Sequence, residues 1–432
     1  MYKKLVVMVA AAAVLAQFFQ PSLRAQVVPE IVPPCTPTIP VSGDVLVIGG
    51  EDNVGNPLTS AELFHPATGL FSTACNTKTA RFESLSSNIP KDTGNSLAGE
   101  IIVMGGEFAQ VVNGKTVRGH SKTSELYDPV TGMFTAGPLM KGCAEDTNQV
   151  QLTDGRILIA GGDKGTLLNT ETPIRTAQIF NPSTEKFTAT KGQLATPRSV
   201  IAAAQIVGCG CANEGKILIA GGADINGKAL RAAELFDPSR GTFKVTGTMS
   251  FPRAHATASA LSGGKILIAG GTESGNSGPS LNTAEIYDPV AGKFALTTTA
   301  FPGSGTNMTD FRSNHTATTL SDGSILIAGG EDDTGPAHAQ HVGLRTAEIY
   351  DPSTGSFTAT AQEMTAGRNL ATATLISGSG TALDGQVLIA GGEDVNFTTL
   401  DTAEIYNPSV QTFTQTPGSM AARDTHTARL IQ

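Results

Sequence analysis

VLVIGG (45–50), IIVMGG (101–106), ILIAGG (157–162) and VLIAGG (387–392) are variants of one phrase, a short apolar run closed by two glycines, and ILIAGG returns at 217–222, 266–271 and 325–330. Successive copies end 56, 56, 60, 49, 59 and 62 residues apart. A period of that size marks stacked or radially repeated units, so the fold is read from the repeat. The run has no polar member, the pattern of a strand buried on both faces.

Working outward from 266–271, each unit has the same four parts. PRAHATASAL (252–261) reads as a first strand of small residues, and SGGK (262–265) as a turn into the apolar second strand. A polar loop (272–282) leads to TAEIYDP (283–289), a third strand ended by proline, which cannot donate to a ladder. A short turn then gives a fourth strand around Phe294. The aromatic-polar-proline step recurs from Phe64-His65-Pro66 to Tyr406-Asn407-Pro408, and the fourth-strand aromatic at Phe71, Phe134, Phe187, Phe243, Phe294, Phe357 and Phe413. Aromatics at repeating positions are packing between neighbouring sheets. The unit is an antiparallel meander, and sheets of this kind bury two apolar faces when packed around an axis.

The ends imply closure. Before Val45 there is no first strand, and after Phe413 the chain adds AARDTHTARLIQ (421–432), a first strand with no unit of its own. Paired beside Val47, it completes the first sheet and removes the open edges. The expected fold is all-β: a seven-bladed propeller over 44–432.

These linked motifs resemble the kelch repeat. Two features depart from it: the fourth-strand tryptophan usual in kelch repeats is phenylalanine in every unit here, the chain having no Trp, and the mean period, 342/6 = 57 residues, is longer than the usual value of about 50, the excess lying in the loops. The resemblance implies a propeller that serves as a binding scaffold or, as in galactose oxidase, an enzyme. That chemistry uses two tyrosines and two histidines on copper. Beyond residue 25 the tyrosines are Tyr127, Tyr287, Tyr350 and Tyr406, all at the structural aromatic-Asp/Asn-Pro step, which disfavours it. A sugar epimerase similar to the periplasmic sialic-acid mutarotase is a further alternative, as is a structural part of the cell envelope.

Residues 1–25 read as a secretory signal. Lys3 and Lys4 precede an apolar run from Leu5 to Ala16, too short to span a bilayer comfortably. Residues 26–43 form a Pro-rich lead. The expected location is secreted, periplasmic or envelope, without membrane insertion once the signal is removed. The chain carries a net charge of −9, and removing three signal cations (Lys3, Lys4, Arg24) gives −9 − 3 = −12. An acidic chain with no Lys/Arg run is a poor partner for nucleic acid. Export permits disulfides, and Cys35 and Cys75, which flank the first unit, are the preferred pair. Cys209-Gly-Cys211 reads as a loop disulfide or inert thiols rather than a metal motif.

In a meander, the loops after the diglycines share a face with the residues that open the first strands. Those loops carry Glu51, Asp52, Glu107, Asp163, Asp224, Glu273, Glu331, Asp332, Asp333, Glu393 and Asp394, and the strand openings carry Arg81, Arg198, Arg253, Arg312, Arg368 and Arg423. Paired charges of this kind either lock adjacent sheets or form a polar mouth suited to a sugar or a peptide. The expected ligand-binding face is this acid/arginine ring, serving a non-enzymatic monomer that binds a carbohydrate or a protein. The longest loops, 107–123 and 331–346, break the symmetry, as recognition loops on a rigid scaffold do. The second gathers Glu331, Asp332, Asp333, His338 and His341, whose spacing fits neither a calcium loop nor a helical His pair. His255, His315 and His426 read as one repeat position near the axis, with neighbour-to-neighbour hydrogen bonding preferred over a shared metal. No catalytic residue, metal site or cofactor is assigned.

Overall fold

A computed structural model describes residues 35–112, 115–142, 145–164, 172–275, 278–301, 303–334 and 342–432. The chain divides into two units, Met1–Cys35 and Thr36–Gln432. The second is a ring of seven four-stranded antiparallel sheets. Among the described residues, no helix is long and apolar enough to cross a membrane.

Blade 5 shows the pattern: Thr257–Ala260, Ile266–Ala269, Ala284–Asp288 and Lys293–Leu296, paired in that order. Blades 2, 3, 4, 6 and 7 span 85–136, 148–189, 202–248, 316–359 and 372–415. Blade 1 supplies only Val45–Ile48, Ala61–His65 and Leu70–Thr73 from the N-terminal side. Its innermost strand is Thr427–Leu430, in register Val45↔Leu430 to Ile48↔Thr427. The ring is therefore closed by the C-terminal strand, as the sequence implies. First strands of neighbouring blades lie side by side around the axis.

The second strands are buried throughout because alternate residues face opposite neighbours. Ile157 and Ile159 pack with Ile102 and Met104 of blade 2, whereas Leu158 and Ala160 pack with Ile217 and Ile219 of blade 4. Each third-strand aromatic stands directly across from the fourth-strand phenylalanine; Tyr287 and Phe294, for instance, have ring centroids 4.9 Å apart. The pair then packs on the preceding blade, as Phe180 and Phe187 do on Ile102 and Met104. The aromatics thus join strands within a blade as well as neighbouring blades.

The diglycine is required by backbone conformation and space together. Gly329 and Gly330 sit at φ 64° and 87°, and a Cβ on them would lie 2.4 Å from the carbonyl oxygens of Arg368 and Ser313 respectively. The second strand therefore ends against two neighbouring chain segments at once.

Candidate functional site

The six arginines do not line the mouth. Arg81, Arg198, Arg253, Arg312, Arg368 and Arg423 are at most 1% exposed. Each guanidinium pairs with a third-strand glutamate of its own blade: Glu125, Glu234, Glu285, Glu348, Glu404 and Glu62, at 2.7–3.2 Å. Arg423 also donates from Nη1 to the Gly49 carbonyl at 2.7 Å and to the Ser60 carbonyl at 3.1 Å. Its own carbonyl accepts the amide of Gly392 from the preceding blade at 2.9 Å. The expected acid/arginine ring is corrected accordingly: a charge this deeply buried must be paired, and its ion-pair partners are the third-strand glutamates rather than the post-diglycine acids. The arginine is a staple at the blade boundary: its side chain holds its own blade and its backbone carbonyl holds the preceding one. Blade 3 lacks it, with Ala144 in place of the arginine and Gln178 in place of the glutamate.

Above the staples lies the mouth. The residue two positions past each arginine, or past Ala144 in blade 3, has a left-handed backbone: Glu83, Asp146, Val200, His255, Asn314, Leu370 and Thr425, with φ between 45° and 56°. Such angles are unusual outside glycine, most of all for valine and leucine. The amides of Glu83, Val200, His255 and Asn314 reach the left-handed residue of the preceding blade; His255 N–H, for example, donates to the Val200 carbonyl at 3.2 Å. All seven line an axial cavity of about 660 Å³.

His255 belongs to this ring, whereas His315 and His426 come one residue later in their blades, next to Asn314 and Thr425. The three histidines therefore do not share one position, which corrects the expected alignment. Nε2 of His315 meets Thr257 Oγ1 and Nε2 of His426 meets Thr372 Oγ1, each at 2.9 Å across a blade boundary. Burial, with Arg312 nearby, pulls His315 down to about 3; burial with Arg423 and Arg368 does the same to His426.

Nine of the eleven predicted acids separate into two groups, and Glu273 and Asp333 stand apart. Asp52, Asp224, Asp332 and Asp394 hold their own turns; Asp224 Oδ1, for example, accepts the amides of Asn226 at 2.8 Å and Lys228 at 3.0 Å. Glu273 is a half-buried loop residue whose amide donates to the Pro279 carbonyl at 3.1 Å. Glu51, Glu107, Asp163, Glu331 and Glu393 follow the diglycine directly and pair across the blade with the residue after the arginine position. These cross pairs are Glu331/Ser313 in blade 6, Glu393/Asn369 in blade 7, Glu51/Asp424 in blade 1, Glu107/Phe82 in blade 2 and Asp163/Glu145 in blade 3. Blades 4 and 5 offer Ala223/Ser199 and Thr272/Ala254 instead. Acids thus occupy an arc of five adjacent blades and are missing from the other two. Asp333, 3% exposed, also faces the cavity, as do Glu83, Glu145 and Asp146, which the loop-based reading missed.

One arginine does reach the mouth. Arg118, on the hairpin Glu107–Val112/Lys115–His120, donates to the Gly55 carbonyl at 2.6 Å and lies 3.3 Å from Glu51. Burial nevertheless raises the pKa of Glu51 and of Glu107, against the pull of Arg118 and, for Glu107, of His120. Asp424, 1% exposed, is pushed up to about 8 by burial and by the neighbouring Glu393 and Glu51. Glu107, His120 and Glu145 bring ligand atoms within 4.8 Å of one another. His338 and His341 lie outside the described residues. Cys209 and Cys211 form a disulfide at a loop remote from this mouth, beyond the opposite end of the blade 4 first strand.

Residues 253–296 match the family model of the kelch motif. A solved structure of YjhT aligns over 78% of this chain and 97% of its own, at 13% identity and TM-score 0.54. A fungal alcohol oxidase of the AA5 family, solved in complex with copper, aligns over 83% of this chain and 69% of its own, at 20% identity and TM-score 0.58. Likeness at these identities is likeness of fold. No curated protein sequence matches the chain.

Proposed function

We propose that this seven-bladed kelch-repeat propeller is an exported, monomeric binding module that takes a carbohydrate or a protein segment into its axial mouth. The observation that carries the reading is the acid arc. Features present in every blade stabilise the ring, whereas an acid follows the diglycine in five blades only, and blades 4 and 5 line the mouth with Val200, Ile201, His255, Ala256, Thr257 and Thr272, none of them acidic. A mouth rich in acceptors, with Arg118 as an added donor, suits a ligand that presents many donors: sugar hydroxyls, or the side chains of a basic peptide. A glycan array and a peptide array probed with the purified protein identify the ligand class. Glu51→Gln combined with Glu83→Gln, in a protein that stays folded, should weaken capture at least about tenfold, the equivalent of about 1.4 kcal/mol. Unchanged capture would sink the proposal.

A second reading rests on Asp424, whose pKa of about 8 keeps a carboxylic acid protonated at neutral pH beneath the mouth. A protonated acid is what a sugar epimerase requires, and Asp424 would serve only if a substrate reached past Thr425, which lines the cavity, to this 1% exposed carboxyl. Anomer exchange of sugars caught on the array, followed by NMR and abolished by Asp424→Asn, would favour it. Tyrosine-ligated copper gains no support, because Tyr127, Tyr287, Tyr350 and Tyr406 are all buried in blade cores.

A further inference from the structure

We propose that Glu107, His120 and Glu145 form a divalent-cation site of the imidazole–dicarboxylate type in the wall of the axial mouth. The three side chains come from separate places. Glu107 opens the blade 2 hairpin, His120 ends it directly opposite in register, and Glu145 stands at the entry to the first strand of blade 3. Nε2 of His120 is 4.0 Å from Glu107 Oε1, and Nδ1 of His120 contacts Glu145 Oε2. The side chains of Glu107, His120 and Glu145 are 12%, 5% and 2% exposed.

Repeat packing does not account for this convergence. The residue across from the post-diglycine position is proline, proline, alanine, serine, glycine or threonine in the other six blades. Only blade 2 puts an imidazole there, at the foot of a hairpin whose arms are six residues each, against two in blades 3 and 6. Glu145 belongs to the one blade whose arginine–glutamate staple is replaced by Ala144 and Gln178. Two departures from the repeat, on adjacent blades, therefore meet at one point.

The donor set selects the ion. Imidazole nitrogen suits zinc and its transition-metal neighbours, and carboxylate oxygen suits manganese and harder ions, so the mixture favours Zn²⁺ or Mn²⁺ over Ca²⁺. Zinc bonds of about 2.0–2.2 Å place tetrahedral ligands roughly 3.3 Å apart, so Glu107 has to approach His120 while the His120–Glu145 contact opens to admit the ion. Glu107 and Glu145 both line the cavity. Three protein ligands would leave the ion a coordination position facing the mouth, available to water or to an incoming ligand oxygen. Once the imidazole gives up its proton to ligate, two carboxylates leave negative charge that a dication balances. Arg118 Nη1, 3.8 Å from Glu107 Oε2, is shared with Glu51 and Gly55.

The test requires no knowledge of the mouth's ligand, so its outcome is independent of the function proposed above. The full purified chain is stripped with chelator and titrated calorimetrically with Zn²⁺, Mn²⁺ and Ca²⁺, while Co²⁺ serves as an absorption probe of coordination. The expected result is one equivalent of Zn²⁺ or Mn²⁺, bound in preference to Ca²⁺, with cobalt d–d bands that disappear in His120→Gln. Affinity should drop more than about 100-fold in His120→Gln and in Glu145→Gln, since losing even an outer-sphere partner costs about 10–100-fold. His65→Gln, at the blade 1 pair with Asp44, should bind as wild type does. Absence of saturable one-equivalent binding in the wild-type chain overturns the proposal. So does undiminished affinity in a folded His120→Gln or Glu145→Gln variant. Either result would leave the cluster as an imidazolium clamped between two carboxylates.

Discussion

Replacing Arg253 by alanine probes the staple directly. Its Nη1 donates to the carbonyls of Gly270 and Thr283, both at 2.8 Å, and its Nη2 to Thr283 Oγ1 at 2.8 Å and Glu285 Oε1 at 3.2 Å. Glu285 is fully buried and otherwise accepts only the amides of Ser250 and Phe251, at 2.7 and 3.2 Å. Arg253→Ala therefore strands a buried carboxylate and the Gly270 carbonyl, whereas the Thr283 carbonyl keeps the Gly270 amide at 3.1 Å; the cost is about 3–5 kcal/mol. That is a large share of the roughly 5–15 kcal/mol by which a folded protein is stable. Blade 3 supplies the control. There Gln178 Oε1 accepts the Lys141 amide at 2.8 Å and Nε2 donates to the Gly142 carbonyl at 3.2 Å, satisfying an uncharged version of the same position. Arg253→Ala combined with Glu285→Gln copies that pair into blade 5 and removes both charges. The double variant should be more stable than Arg253→Ala alone, with a coupling of about 1–3 kcal/mol in the double-mutant cycle. Urea unfolding followed by circular dichroism, with midpoints compared at constant slope, measures all four species. A loss below about 1 kcal/mol for Arg253→Ala, or additivity of the two single changes within about 0.5 kcal/mol, would refute the staple as described.

Further outcomes follow from the same geometry. His315 and His426, held down to about 3 by burial, are neutral in the fold but charge at ordinary pH values once unfolded. Their stabilisation is present above about pH 6.5 and is lost as pH falls towards 3; by pH 5 each should have cost about 2 kcal/mol, visible as an acid-side loss that His315→Gln reduces. Asp424, raised to about 8, has the opposite sign: the fold keeps a proton that the unfolded chain releases near 4, so stability declines between pH 4 and pH 8. Asp424→Asn should flatten that decline, and an unchanged pH slope would contradict the assignment. Gly330→Ala places a Cβ 2.4 Å from the Ser313 carbonyl at φ 87° and should abolish soluble expression, whereas Gly323→Ala, with open space around it, should not.

The order of strands was legible because each strand carries a local sign: small residues, an apolar run with its diglycine, an aromatic before proline, then a phenylalanine. Closure was legible because a first strand is missing at one end and surplus at the other. The staple was only half legible. The arginines stand out, yet their partners sit inside AELF, SELY and AEIY, where an acid in a strand looks like an outward-facing residue. A signal did exist: blade 3 reads AQIF, and its arginine position is alanine, so the two positions change together within one chain. Nothing comparable marks His120 and Glu145. Their approach depends on the register of a long hairpin and on blade 2 lying beside blade 3, and neither is encoded within one repeat. The histidines were misaligned for a related reason. His255 and His315 differ by one position relative to the preceding arginine, and the left-handed residue between arginine and strand is invisible without coordinates.

Symmetry itself separates the scaffold from the site. A ring of like blades must satisfy the same boundary seven times, so whatever recurs at a boundary is explained by the boundary: diglycine, left-handed residue, aromatic pair and buried arginine. A ligand on the axis has no seven-fold symmetry, so it is oriented only by what differs from blade to blade. Those differences are not scattered here. The neutral pairs of blades 4 and 5 face an acid arc running from blade 6 through blade 3, and the long hairpin and the missing staple fall together within that arc, at blades 2 and 3. The mouth therefore has a charged wall and a bland wall. A bound molecule would place its donors against the charged wall, nearest the Glu107–His120–Glu145 corner, and its apolar face towards Val200, Ile201 and Ala256. Exchanging Ala223 and Thr272, the post-diglycine residues of blades 4 and 5, for glutamate would extend the acid arc around the ring, and the orientation preference of any ligand, read by NMR shifts of a labelled probe, should collapse while the fold remains. A preference that survives this change would place recognition outside the mouth.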